Sequence, residues 1–245
     1  MTRRIVTLGG KDALPFLQGL VSNDVLPLGK RPGLVWAALL TPQGKYLADF
    51  FVGNDGQRLV LDLPEALADS TLRRLGMYRL RADVSLTQSD WVVTRGLGDA
   101  PAGALSDPRH PALGWRLYGA ERAQAVVDWD AIRVAHLIPE SGIELIPDHS
   151  YLLECGFERL HGVDFRKGCY VGQEVTARMK HKTALRKGLA LVEVSGSAPV
   201  GTPILAEGRE MGRLFTQAGG QAIAHLRLDK AEGQMWAGDA LITRA

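Results

Sequence analysis

Beyond Lys187 the sequence stops supporting helices. Leu189 to Val194, Ile204-Leu205, Gly212 to Thr216, Ala222 to Leu228 and Ala240 to Thr243 are short apolar or alternating runs. Turns such as Ser195-Gly196-Ser197 and Gly219-Gly220 part them. Runs this short satisfy their backbone groups only by pairing with one another, which predicts a small β-barrel or sandwich over residues 186–245. The boundary falls near residues 183–188.

Residues 1–185 follow a different rule. Asp12 stands where a short helix through Phe16, Leu17 and Leu20 would begin, with Pro15 confined to its first turn. Leu34 to Leu40, the turn Thr41-Pro42-Gln43-Gly44, and Tyr46 to Val52 read as a hairpin. Arg58 to Leu63 reads as a further strand, Pro64 as a helix entrance, and Arg79 to Leu86 as another strand. Helical spacing returns around Trp129, Ile132, Val134 and Leu137. Hairpins with interleaved helices predict an α+β fold rather than a doubly wound sheet. The Gly-, Pro- and Asp-rich stretch from Gly98 to Pro111 marks a surface loop, and a joint near 98–125 divides the α+β region into two modules.

At 245 residues, with 46% hydrophobic and 23% charged residues and a net charge of +2, the chain is neither disordered nor globally basic. Its two cysteines, Cys155 and Cys169, exclude a disulfide framework and a self-contained four-thiolate site. No apolar run follows Arg3-Arg4, so a secretory signal is not expected. Leu34 to Leu40 is far shorter than the ~18–20 residues that span a bilayer. A cytoplasmic setting without a membrane partner is the expectation.

One segment stands apart in charge. Residues 159–187 hold eight basic residues (Arg159, Arg166, Lys167, Arg178, Lys180, Lys182, Arg186, Lys187) against Asp164 and Glu174. A generic basic run is a solvated face. Here, however, Cys169 follows Arg166-Lys167-Gly168 and precedes a helix expected to start near Gly172. Cations and a helix N-terminus both favour a thiolate. Cys169 is therefore either reactive and ligand-facing or a buried structural thiol, whereas the apolar neighbours of Cys155 place it in the core. His149, Cys155, His161, Cys169 and His181 lack the spacing of a metal site. Neither a nucleophile elbow nor a phosphate loop is present.

Lys167-Gly168-Cys169-Tyr170-Val171-Gly172-Gln173-Glu174-Val175-Thr176-Ala177-Arg178 closely resembles the signature of the YgfZ family. These are folate-binding proteins linked to iron–sulfur cluster assembly or repair and to tRNA modification, with mitochondrial relatives. Phe16 to Val25, Leu40 to Asp49, Tyr78 to Arg81, and Ile132-Arg133 through Gly142 and Glu144 resemble further family segments. The layout is shared with the glycine cleavage system T-protein, an aminomethyltransferase. The resemblance implies a T-protein-like folate-binding fold: two α+β modules in a ring over 1–185 and a C-terminal β-barrel over 186–245, around a central folate pocket.

It also implies roles. Cys169 would be the working thiol, held as thiolate by Lys167 and Arg178 at the pocket mouth. Tetrahydrofolate or a derivative would be the cofactor, with Asn23, Asp24, Trp36, Asp49, Glu144, Tyr170, Gln173 and Glu174 as contacts and no stably bound metal. Trp36, Tyr46 and Phe51 are candidate pocket walls, although hairpin aromatics normally pack inward. Where the T-protein has an acidic pair, this chain has Ala48-Asp49, which counts against the transferase reaction. The expected function is accordingly a folate-binding accessory protein for iron–sulfur assembly or repair, acting on tRNA modification through it, with iron–sulfur proteins or the assembly machinery as partners. The alternatives are a tetrahydrofolate-dependent aminomethyl or one-carbon transferase and a tRNA-binding module.

Overall fold

The computed structural model describes residues 2–181 and 184–244. Its first sheet is built from β1 (Arg3–Gly9), β2 (Gly33–Leu40), β3 (Tyr46–Asn54), β4 (Leu59–Pro64) and β5 (Ser85–Gln88). They lie in the order β2-β3-β4-β1-β5, with every neighbour antiparallel. Both faces of this sheet are covered, which is why Leu34 to Leu40 is a continuous apolar run instead of an alternating one. Ala37, Leu39, Phe50 and Val52 join one core with Leu17, Leu61 and Leu75. Trp36, Ala38, Leu40 and Phe51 join a second with Phe157, Leu152 and Leu160.

Two helices complete the first module. α1 (Ala13–Gln18) follows Asp12, which stands at the N-cap but whose carboxylate accepts from the Asp83 backbone N at 2.9 Å. α2 (Glu65–Arg79) buries Ala68, Thr71 and Leu75, one helical stripe. The strand expected over Arg79 to Leu86 is a correction. The helix continues through Arg79, Leu80 turns at φ 45° into solvent, and only Ser85–Gln88 pairs, as an edge strand beside β1. The helix wins because its buried stripe extends to Leu75, whereas Leu80 finds no apolar neighbour and is 88% exposed.

The second module holds β6 (Val92–Gly96), β7 (Leu105–Ser106) and β8 (Trp115–Gly119) in the order β6-β8-β7. Residues 98–125 thus contain two strands, and Asp107, Arg109 and Leu113 among them are buried. α3 (Trp129–Ala135) starts at Asp128, whose side chain accepts from Ala131 N. α4 (Gln173–Lys180) starts at Gly172, as its sequence suggests.

The C-terminal strands are β9 (Gly188–Ser195), β10 (Pro203–Ala206), β11 (Arg209–Ala218), β12 (Gln221–Leu226), β13 (Gln234–Ala237) and β14 (Ala240–Arg244). They close into a barrel in the order β10-β11-β12-β9-β14-β13. β13 is the strand the sequence reading lacks: it is short, and only Met235 and Ala237 point inward while Trp236 is half exposed. Among the described residues no helix is long and apolar enough to cross a membrane.

Candidate functional site: an exposed thiol on a stapled loop

The tip of the β2–β3 hairpin carries the signature segment. Gly172 has φ 82°, and a Cβ there would stand 2.4 Å from the Thr41 carbonyl oxygen. Gly44, with φ 75°, lets Val175 approach, since its own Cβ would lie 2.8 Å from that side chain. Backbone contact between α4 and the hairpin turn therefore requires glycine on both sides.

The loop ahead of α4 is tied to α1. Gln18 Nε2 donates to the Lys167 carbonyl at 3.1 Å, and Lys167 Nζ donates back to the Gln18 carbonyl. Val171 N donates to Gly19 O, and Tyr170 N to Gln173 Oε1 at 3.2 Å. Tyr170 is buried in the second core, with the Lys167 ammonium 4.7 Å from its ring centroid. Cys169, between these anchors, is exposed. Burial draws Lys167 down to about 8 against the opposing pull of Asp24, Asp164 and Cys169. Asp24, Lys167, Cys169, Tyr170 and Gln173 are thus brought together.

The other predicted residues go elsewhere. Arg178 pairs with Glu174 at 2.6 Å on the exposed face of α4. Asn23 Nδ2 donates to the carbonyls of Trp36 and His161, bracing the hairpin against the loop before the signature. Glu144 is buried and fully engaged, accepting from Arg133, the Glu140 N, and the N and Oγ1 of Thr216 on β11. It docks the barrel. Lys182 lies outside the described residues. Cys155 is buried, and burial pushes its thiol up to about 12. Among the described residues no three His, Cys, Asp or Glu side chains converge as metal ligands.

The expected folate centre is a polar knot. Asp49 accepts from Trp36 Nε1 at 2.8 Å, Tyr46 OH at 2.6 Å and Ser141 Oγ at 2.5 Å. Trp36 stacks on Phe157 at 4.0 Å between centroids, and Trp36, Tyr46 and Phe51 are all core. Beside Asp49 lie four guanidinium groups, those of Arg3, Arg95, Arg109 and Arg116, with Glu140 and Ser141. Asp62 takes Arg3, Arg116 at 2.9 Å and Tyr118 at 3.0 Å, while Asp107 takes Arg109 at 2.8 Å. Burial favours the neutral acid in both carboxyls, yet the arginines outweigh it and hold Asp62 below its ordinary value and Asp107 at about 2. The Nε of Arg95 has no hydrogen-bond partner among the described residues, although its guanidinium lies over the Trp129 ring.

The space left there is about 10 Å³, room for a single water, whereas small-molecule pockets run to ~300–1,000 Å³. The residues at this centre do not fit a pterin. Charged residues in strands read as solvent-facing, which hid the knot. Asp62, a carboxylate inside Leu59-Val60-Leu61-Asp62-Leu63, was its one sequence signal.

Residues 186–245 match the family described as CAF17, C-terminal beta-barrel domain. The iron-sulfur cluster assembly factor IBA57 homolog, mitochondrial, of Mycosarcoma maydis is 37% identical over 216 residues, covering 76% of this chain and 54% of that protein. The chain thus spans about half the length of this relative. The human iron-sulfur cluster assembly factor IBA57, mitochondrial, is 28% identical over 278 residues, covering 95% of this chain and 78% of its own. The glycine cleavage system aminomethyltransferase T of Bartonella henselae has the same fold, with a TM-score of 0.75 at 12% identity over 99% of this chain and 83% of that one.

These relatives overturn the cytoplasmic expectation, because their names place them in mitochondria. That expectation rested on the residues that follow Arg3-Arg4, a criterion that discriminates only against secretory signals: mitochondrial targeting segments are amphipathic and Arg-rich.

Proposed function

From this kinship with IBA57 proteins as premise, we propose that the chain is an iron–sulfur cluster assembly factor that lends one thiolate, Cys169, to a cluster shared with a partner. The observation that carries the reading is the presentation of Cys169: exposed, on a loop tied at both ends to α1 and α4. A loop pinned in this way places its sulfur without an ordering cost at the moment of binding.

The stoichiometry sets the mechanism. A cluster is held by about four cysteine ligands. Cys155 is sealed in the core with its thiol pushed up to about 12, so this chain offers a single sulfur at neutral pH. The remaining ligands must come from the assembly machinery or a client protein, with the cluster as cargo. Lys167, two residues ahead of the sulfur, donates to the Gln18 carbonyl and lies over the Tyr170 ring, so it braces the loop that presents the thiol. Phe165, 41% exposed, and Arg166 on the same loop offer an apolar and a charged contact to whatever docks there. tRNA modification enters only through modifying enzymes that need clusters.

The test replaces the chromosomal copy by wild type or Cys169→Ala. The variant is expected to fold and accumulate normally while cluster-dependent enzymes lose activity. Equal enzyme activity in the two strains rules the proposal out.

A further inference from the structure

Between the barrel and residues 144–154 lies a cavity of about 740 Å³, which shares no lining residue with the stapled loop and falls within the ~300–1,000 Å³ of small-molecule sites. Ile146, Met211 and Phe215 give it apolar surface. Its walls are fixed in place. Ser150 Oγ accepts from Ile146 N at 2.9 Å, Lys45 Nζ donates to the His149 carbonyl at 3.0 Å, and Leu189 N donates to the Glu154 carbonyl at 2.8 Å. The cavity is therefore preformed and not a gap between loose lobes.

The charges around it are unequally spent. Glu144 is consumed by Arg133 and Thr216, Glu154 faces His225 at 3.3 Å, and Glu210 faces Arg213 at 3.5 Å. Lys187 and Arg227 also line the cavity, and neither forms an ion pair among the described residues. His225 balances Glu154 only when protonated, so beside the Glu144–Arg133 pair the lining sets Lys187, Arg213 and Arg227 against Glu154 and Glu210, an excess of one positive charge. A cationic ligand would add to that excess, and a purely apolar one would desolvate Lys187 and Arg227 without compensation.

We propose that this cavity binds a small organic anion: a flat apolar body lies against Ile146, Met211 and Phe215, and its carboxylate, sulfonate or phosphate is held by Lys187 and Arg227. The site is independent of the thiol and of the cluster role assigned to it.

Fluorescence titration of the full chain with anilinonaphthalenesulfonate, beside its uncharged analogue phenylnaphthylamine, tests this. The sulfonate should bind saturably at one site. Lys187→Glu, at an exposed position, or Arg227→Glu, at a partly exposed one, should each weaken it about tenfold, the worth of a charge-assisted contact. The uncharged probe should bind all three proteins equally, and Ile146→Trp should exclude both probes by filling the cavity. Cys169→Ala should bind as wild type does, which separates this outcome from the fate of the cluster proposal. Absence of saturable binding, sulfonate affinity unchanged by both charge reversals, or undiminished binding to a folded Ile146→Trp protein would each overturn the site.

Discussion

Asp62 joins the first sheet to the second, and replacing it by asparagine isolates what that junction is worth. Its carboxylate is fully buried and receives Arg3 from β1, and Arg116 and Tyr118 from β8. The amide keeps the shape and removes the charge. Arg116, 2% exposed, and Arg3, 9% exposed at its side chain, are then left as guanidinium groups without that counter-charge. Breaking a buried pair by deleting one partner costs about 3–5 kcal/mol, because the surviving charge stays desolvated. With a urea dependence of about 2–3 kcal/mol per molar for a chain of this size, the midpoint should fall by about 1–2.5 M. Glu174→Gln, which breaks only the exposed pair with Arg178, is the control and should cost about 0.5 kcal/mol or less. The assay is equilibrium urea unfolding followed by far-ultraviolet circular dichroism. A midpoint shift for Asp62→Asn as small as that of the control would refute the reasoning that the knot couples the two sheets.

Acid should act on the same knot. Asp62 and Asp107 have depressed folded values, so the stability they contribute is complete above the ordinary carboxylate value near ~4 and is lost as pH falls toward about 2, where Asp107 titrates. Urea midpoints should therefore drop over that interval, and Asp107→Asn should flatten the drop. Under native conditions at neutral pH a chromogenic disulfide reagent should titrate one thiol rapidly, Cys169, and reach Cys155 only after unfolding. Gly172→Ala should destabilise by about 1–3 kcal/mol in thermal melts, since its Cβ would meet the Thr41 carbonyl in a left-handed backbone conformation. It should also alter the alkylation rate of Cys169.

The parts legible in the sequence are those governed by periodicity and by turn chemistry. The hairpin around Thr41 to Gly44, the helix start at Gly172 and most barrel strands follow from runs of apolar residues and the glycines between them. The alternation over Arg79 to Leu86 covers a helix end and a turn: period-two spacing says nothing about whether a neighbour exists to cover it. Of the site, the signature loop was legible as a motif, but the destinations of its neighbours were not. Trp36 and Asp49 satisfy each other in the interior, and Glu144 holds the barrel to α3, contacts between residues far apart in the chain. Arg3, Arg95, Arg109 and Arg116 converge only in three dimensions, so their charges looked like surface. The large cavity beside the barrel is likewise assembled from strands and a loop that share no local pattern.

The central claim is that one sulfur from this chain completes a cluster whose other ligands are supplied in trans. Mixing the protein with a cluster-loaded, cysteine-bearing carrier and recording the visible absorption and mass of the resulting complex measures this directly. The account predicts a mixed complex of one chain and one carrier around the cluster, absent with Cys169→Ala. A cluster bound stably by the chain alone, or the same complex formed by Cys169→Ala, would contradict it.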